Sequence, residues 1–382
     1  MVDGFGGVFP IFKKLVGLDL VWAGAIVAMS NVTMGLQPIF GLWADHGHRR
    51  KLVILGCSLT CLIMLLGPIS RHPQFMHHWS GYLTMLVIML VAKIGVGMFH
   101  PPAVSLAGNT SSMHRSTMVS LFIAFGMIGI GLSHLMFSTV FLGLNRHTEV
   151  LLIPGFCVVI WVAIWCHEPA DKLTGPLDLG TMFSKLRHLP GRLISLWLVQ
   201  LFMSASFVGL MFLLPEFVEK RGMSQIWVNG GALAVWMAGA VLIMVPMGHL
   251  ADRFGRRRVL CLCLALATAS YYAMAQITPM PMALLILLLF LTGGTVGASN
   301  SISISLGQHL LPGNQSLITG VLMGLAWSLA SVASWLAGFM VKQLEMTYTV
   351  AISWLGIGLI IALVLVLFTP GLGRDATGDV RD

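Results

Sequence analysis

Charge is scarce in this chain of 382 residues: Asp, Glu, Lys and Arg together make up 9%. A soluble globular domain carries about 25%, so a free-standing soluble fold is excluded. Cysteine is sparse as well. The six, Cys57, Cys61, Cys157, Cys166, Cys261 and Cys263, lie within or at the edge of apolar segments, where free thiols behave as small hydrophobes. Cys57 and Cys61 stand four apart, but no His or carboxylate cluster accompanies them, so neither a metal site nor a disulfide framework is expected. Strand-like alternation is absent, which sets aside an outer-membrane barrel. There is no Gly-x-x-x-x-Gly-Lys-Ser/Thr nucleotide loop, which sets aside ATP drive within this chain. No nucleophile–base constellation is visible, so the chain is not read as an enzyme, and no cofactor is implied.

What is abundant is apolar length. The chain is 57% hydrophobic with a mean hydropathy of +0.89. Runs of about 20 apolar residues recur, as a bilayer requires of spanning helices. Twelve segments are expected: 1–15, 22–43, 52–69, 82–106, 116–141, 150–165, 193–214, 227–250, 259–275, 282–306, 317–341 and 350–368. The first is shorter than the ~20 residues needed to cross. It has neither the cationic start nor the cleavage site of a secretory signal. The expectation is that roughly ten residues of this helix are absent; a short, partly inserted helix is the alternative.

Two stretches say nearly the same thing. Gly41-Leu42-Trp43-Ala44-Asp45-His46-Gly47-His48-Arg49-Arg50-Lys51 returns as Gly248-His249-Leu250-Ala251-Asp252-Arg253-Phe254-Gly255-Arg256-Arg257-Arg258. Each closes an apolar run and opens another. Duplication of such a loop implies two homologous halves in a membrane, an architecture that transporters use. The expected division is an N-terminal half (1–167), a polar linker (168–190), a C-terminal half (191–369) and a polar tail (370–382). The fold expected is therefore all-α, with twelve transmembrane helices in two pseudo-symmetric six-helix bundles.

The formal net charge of +8 is not a nucleic-acid surface, because the basic residues sit in short loops beside segment ends. Fourteen Lys and Arg fall on the side of the motif loops and seven on the other. The positive-inside rule then places the motif loops, the linker and both termini in the cytoplasm, with the chain in a bacterial inner (plasma) membrane. Trp22, Trp43, Trp79, Trp227, Trp335 and Trp354 lie near segment ends, as interface anchors do.

The motif residues identify the family. The signature Gly-x-Leu-Ala-Asp-Arg-x-Gly-Arg-Arg of the major facilitator superfamily is met in full from Gly248 to Arg257, and the chain resembles that superfamily over essentially its whole length. The first copy keeps Gly41, Asp45, Arg49 and Arg50, but has His46 where Arg is usual and His48 where Gly is usual. Within the superfamily the chain is most similar to the fosmidomycin-resistance type of drug exporter. The residues that carry this are Gly95-Val96-Gly97-Met98-Phe99-His100-Pro101, Leu213-Leu214-Pro215, Leu310-Leu311-Pro312-Gly313 and the opening Val2-Asp3-Gly4-Phe5 with Pro10. The Gly-Pro pair that exporters often carry in helix five is replaced by Gly129-Ile130-Gly131-Leu132-Ser133-His134. The resemblance implies a central cavity lined by helices one, four, seven and ten, a small-molecule substrate, proton coupling with antiport, and a monomer in the bilayer. Nucleic acid is not an expected partner.

The motif has a physical role apart from its name. Asp45 and Asp252, at helix ends, can pair with neighbouring Arg and face the positive N-terminus of an adjacent helix. Gly41, Asp45, Arg49, Arg50, Gly248, Asp252, Arg253, Gly255, Arg256 and Arg257 are thus expected to form a conformational latch; a charge anchor with a capping Asp is the plainer reading. Gly126, Gly129 and Gly131 in the fifth segment, and Gly320, Gly324 and Gly338 in the eleventh, would permit close helix approach. Lys93 and Asp3 are the charges inside the bilayer. Eleven residues from Tyr82 to Lys93 and ten from Lys13 back to Asp3 put both at a depth of roughly 15–16 Å, near mid-membrane. An intramembrane ionisable residue is a functional-site hypothesis. Gln200 near mid-depth, and His100 and His134 as candidate proton carriers, complete the expected substrate and proton pathway. The functions expected are proton-coupled export of small amphipathic compounds, uptake of a small organic anion with Lys93 as counter-charge, or a membrane sensor or assembly factor that no longer transports.

Overall fold

The computed structural model describes residues 19–72, 79–111, 113–167, 180, 190–310, 314–369 and 372. The first segment, and with it Asp3, lies outside them, as does nearly all of the linker. Among the described residues the chain is helical throughout, with no strand. In chain order the helices are α1 (20–43), α2 (49–70), α3 (Trp79–Asn109), α4 (Arg115–Gly143), α5 (Thr148–Trp165), α6 (Gly191–Lys220), α7 (227–254), α8 (Arg256–Gln276), α9 (Met282–Leu310), α10 (Gln315–Lys342) and α11 (Tyr348–Phe368). They are the second to twelfth segments of the sequence, so the all-α membrane architecture stands.

The helices form because each is apolar on nearly every face and must satisfy its backbone internally in lipid. Large apolar side chains face outward: Trp161 and Leu242 are each 63% exposed, which is tolerable against hydrocarbon and not against water. Few side-chain caps are needed at the ends. Asp19 accepts from the Trp22 N–H at 2.8 Å at the start of α1, and Thr347 caps α11 through the Val350 N–H.

Within each half the main packing pairs are α2 with α3, and α7 with α9, α6 with α11 and α8 with α9 and α11. The main pairs that join the halves are α4 with α7 and α1 with α10, and α4 also meets α9 and α3 meets α10. The α1–α10 seam is tight through most of the membrane. A Cβ added at Gly24 would lie 2.5 Å from the Ser334 carbonyl oxygen, one at Gly324 2.4 Å from that of Met34, and one at Gly338 2.6 Å from that of Leu20. Between these contacts Ser328, Ser331 and Ser334 donate to the carbonyls of Val32, Ala28 and Gly24 at 3.2, 3.2 and 3.0 Å. Small residues thus bring the backbones together and hydroxyls bond across, the usual means of helix association in lipid.

The glycines of the fifth segment behave differently from the expectation. Nothing lies within 4 Å of a Cβ built at Gly126 or Gly129, and only Met237, at 3.6 Å, near one at Gly131. Here the small side chains leave space rather than enabling contact.

Gly324→Val should therefore destabilise the purified protein by about 1–3 kcal/mol, the range for overpacking, and lower its thermal midpoint in detergent. Gly129→Ala should be neutral or stabilising by up to about 1 kcal/mol through helix propensity. Equal behaviour of the two variants would contradict the assigned seam.

Candidate functional site: a sealed motif side and a central cavity

The two motif loops turn on glycine. Gly255 has φ +95 between α7 and α8, and Gly47 has φ +88 between α1 and α2. Residues with a Cβ avoid this region. In the second loop the glycine stands where the superfamily signature has it. In the first, His48 occupies that place and Gly47, one residue earlier, makes the turn. The departure noted in the sequence is therefore compensated in the backbone.

Each motif aspartate reaches across to the other half. Asp252 accepts from the Thr117 N–H at 3.0 Å, the Thr117 hydroxyl at 2.8 Å and the Ser116 N–H at 3.3 Å, all in the first turn of α4. Asp45 accepts from the Leu317 N–H at 3.1 Å in the first turn of α10. Both carboxylates are buried, with 5% and 1% of the side chain exposed. Each meets amides that have no partner within their own helix and the positive end of a helix dipole. Arg49 and Arg256, four residues on, donate to Asp45 and Asp252 at 3.2 and 3.3 Å. One turn before each aspartate is a glycine. A Cβ at Gly41 would lie 2.4 Å from the Ser316 carbonyl oxygen, and one at Gly248 2.4 Å from the Ser120 hydroxyl. The Gly-x-x-x-Asp spacing is a clearance followed by a cap.

The second arginine of each pair has another task. Arg50 donates to the Ala163 carbonyl at 2.7 Å near the end of α5. Arg257 donates to the Val366 and Leu367 carbonyls at 3.2 and 2.8 Å near the end of α11. These arginines satisfy C-terminal carbonyls within their own halves. Arg253 lies over the Phe254 ring at 5.3 Å, outside the cross-half contact.

Behind the caps, α4 and α9 are joined by hydroxyl pairs. Ser116 and Ser305 lie 2.7 Å apart, Ser120 donates to Ser301 at 2.9 Å, and Arg256 Nε donates to the Ser116 hydroxyl at 2.9 Å. Gln308 donates to Thr319 at 2.9 Å between α9 and α10. Together these contacts seal the motif side.

Above the seal is a cavity of about 360 Å³ lined by α1, α3, α4, α6, α7, α9 and α10. That volume is at the small end for ligand sites. It reaches down to His100, Phe122 and Asn300, and up to Pro215 and Trp227 toward the far side. Lys93 is on its wall and is the one formally charged side chain among the described lining residues; no carboxylate is among them. His100, two turns further along α3, also lines it and donates from Nδ1 to the Val96 carbonyl at 3.1 Å. Six methionines (Met34, Met89, Met127, Met211, Met237, Met323) and six aromatic residues share the wall.

Of the residues expected from sequence, the cavity thus brings together Lys93 and His100. Gln200 is fully buried and does not line it; its amide nitrogen donates to the Asn300 carbonyl oxygen, and Asn300 faces the cavity. His134 is in α4, but its side chain lies outside the described residues. Asp3 lies outside the described residues. The sequence reading missed Asn300 and its serine neighbours. The signal was the run Ser299-Asn300-Ser301-Ile302-Ser303-Ile304-Ser305, polar residues inside an apolar span, all of them buried.

Comparison with known proteins agrees with this arrangement. The chain matches the model of the Major Facilitator Superfamily over residues 1–331 and 228–380. It is 21% identical over 94% of its length to an uncharacterized MFS-type transporter, YfnC, of Bacillus subtilis (strain 168), covering 87% of that protein. Its fold is similar to the fucose:proton symporter of E. coli, with TM-score 0.69, 15% identity and 96% of each chain covered. It is similar also to the human organic anion transporter MFSD10, with TM-score 0.69, 16% identity, and 95% and 89% of the two chains covered. Sealed helix-end carboxylates, a mid-membrane cavity between two halves and the family match over the full chain lead to one conclusion: this protein belongs to the Major Facilitator Superfamily and is a secondary transporter rather than an enzyme.

Proposed function

We propose that this transporter carries small amphipathic compounds bearing an anionic group. The observation that carries the reading is Lys93, the one formally charged side chain among the described lining residues of a mostly apolar cavity. In a low-dielectric site a fixed cation favours a ligand anion strongly. Two directions of transport fit. The first is proton-coupled export of the fosmidomycin-resistance type, supported by Gly95–Pro101, Leu213-Leu214-Pro215 and Leu310–Gly313. The second is uptake of a small organic anion, supported by Lys93. Similarity in fold to a fucose:proton symporter supports proton coupling, and similarity to an organic anion transporter supports the ligand class.

The mechanism proposed is alternating access, with residues 1–167 and 191–369 as the moving bodies. Asp45 and Asp252 act as the latch: they hold the motif side shut here and release α10 and α4 when that side opens. The basic bias of the motif loops makes this the cytoplasmic side of a bacterial inner membrane. We base proton coupling on Asp3 and Lys93, whose similar depth is expected from counting residues along their segments. An ionised Asp3 pairs with Lys93; protonation of Asp3 releases Lys93 to the substrate anion, which loads proton and substrate together and suits uptake, whereas export requires the proton to displace the substrate. A monomer suffices for this cycle.

Three measurements test the proposal. Lys93→Ala should abolish accumulation of substrate against a gradient in right-side-out and inside-out vesicles with an imposed pH difference, while Lys93→Arg keeps part of it. An alanine variant that still concentrates substrate would refute the role. The two vesicle orientations also separate export from uptake.

Asp252→Asn should impair transport at normal abundance. Loss of hydrogen bonds to a charged acceptor costs about 1.5–3 kcal/mol, roughly a tenfold to hundredfold shift between states. Asp45→Asn should be milder, because one cross-half amide meets it rather than three donors. Unchanged transport in the Asp252 variant would rule out the latch.

Reporter fusions after Arg258 and after Arg146 should lie on opposite sides of the membrane, the first in the cytoplasm. The same side for both would overturn the topology.

A further inference from the structure

The cavity has two unlike walls. On the C-terminal half, the Phe207 ring lies 5.4 Å from that of Trp327 and 5.7 Å from that of Trp236. Trp236 is fully buried and supports Phe207 from behind. On the N-terminal half, Phe99 stacks on Phe122 at 6.2 Å with 28° between planes, and meets His100 edge-on at 5.6 Å. Phe99 and His100 are on α3, which also carries Lys93. Both aromatic pairs thus line the cavity, one from each half, and His100 lies beside the second.

Local backbone geometry aims the aromatic residues. Trp327 comes two residues after the π turn Gly320–Leu325, and Trp227, also on the cavity wall, opens the π turn Trp227–Gly231. Such turns re-aim the side chains that follow and concentrate at functional sites. The Trp327 indole N–H is buried with no acceptor among the described residues. Burying a donor in that way is costly, so this position holds a ring despite its polar atom. Met211, Met237 and Met323 complete the wall, and thioether sulfur makes favourable contacts with ring edges. A saturated hydrocarbon would gain only burial here, whereas an aromatic ring would also gain ring–ring and sulfur–ring contacts.

We propose that the apolar part of the substrate is an aromatic ring held between Phe207–Trp327 and Phe99–Phe122, with its acidic group toward Lys93 and His100. This rests on the reading of the substrate as an amphipathic anion and names its class: aryl-bearing carboxylates and related acids. Phe207 and Trp327 are then specificity-determining residues, because they decide ring against chain while Lys93 decides charge.

The test is binding to the purified full chain in detergent, read as ligand-dependent thermal stabilisation, with phenylacetate and cyclohexylacetate as probes of equal charge and similar size. The parent protein should prefer phenylacetate by about tenfold in Kd. Trp327→Leu and Phe207→Leu should bring that ratio near one while leaving cyclohexylacetate within about twofold. Trp327→Phe, which keeps a ring and removes the buried N–H, should keep the preference. If the leucine variants do not fold, Phe122→Leu on the N-terminal half and the parent ratio itself carry the test. Equal binding of the two probes by the parent, or a preference that survives loss of either ring, overturns the ring assignment and leaves the anion reading intact. Binding of neither probe, or of a neutral amide analogue as well as the acid, overturns the anion reading and the ring assignment with it.

Discussion

Two buried carboxylates, each on the end of one helix and each bonded to the first turn of a helix from the other half, determine how the halves of this protein meet. The constraint behind them is general. A helix leaves its first amides unsatisfied, and a helix end packed away from water must find acceptors elsewhere. In α4 and α10 the acceptors come from across the seam, Asp252 and Asp45. Stability of these helix ends is therefore tied to closure of the motif side. The other features of the motif follow from that contact: a glycine one turn earlier for clearance, an arginine one turn later to offset the buried charge, and a positive-φ glycine to fold the next helix back.

The two main cross-half interfaces are related by the repeat but not equal. The α1–α10 seam is held by close glycine contacts and serine–carbonyl bonds from Gly24 to Gly41. The α4–α7 interface is tight on the motif side, where Ile123 and Ala124 pack with Ala240 and Met244. Further along, Gly126, Met127, Leu233 and Met237 border the cavity instead. The same glycine-rich composition thus makes a zipper in one helix and a space in its counterpart, because what matters is whether the glycine face turns toward a neighbour.

The cavity between these interfaces carries little polarity, and two of its polar groups, Asn300 and His100, are held. Gln200 bonds to Asn300, and His100 bonds to its own helix. Polar groups in a low-dielectric interior are costly unless paired. A wall of rings and thioethers with one fixed cation is correspondingly selective in charge and adaptable in shape.

Much of the architecture was legible in the sequence. Hydropathy located the spans within a few residues, since the length needed to cross hydrocarbon is set by the bilayer and not by the partners of a helix. The duplicated loop announced two halves, and Lys93 stood out because a charge in an apolar run is anomalous at any orientation. What the chain alone could not give was azimuth. Helices such as α3 and α9 are apolar on all sides, so periodicity does not say which face meets which neighbour. Hence Gln200 was read as a cavity residue although it stands behind Asn300, and the glycines of α4 and α10 were given one role although they have two. The caps of Asp45 on Leu317 and Asp252 on Thr117 join residues far apart in the chain. Only the packed bundle, by fixing the rotation and depth of each helix, decides that these groups meet.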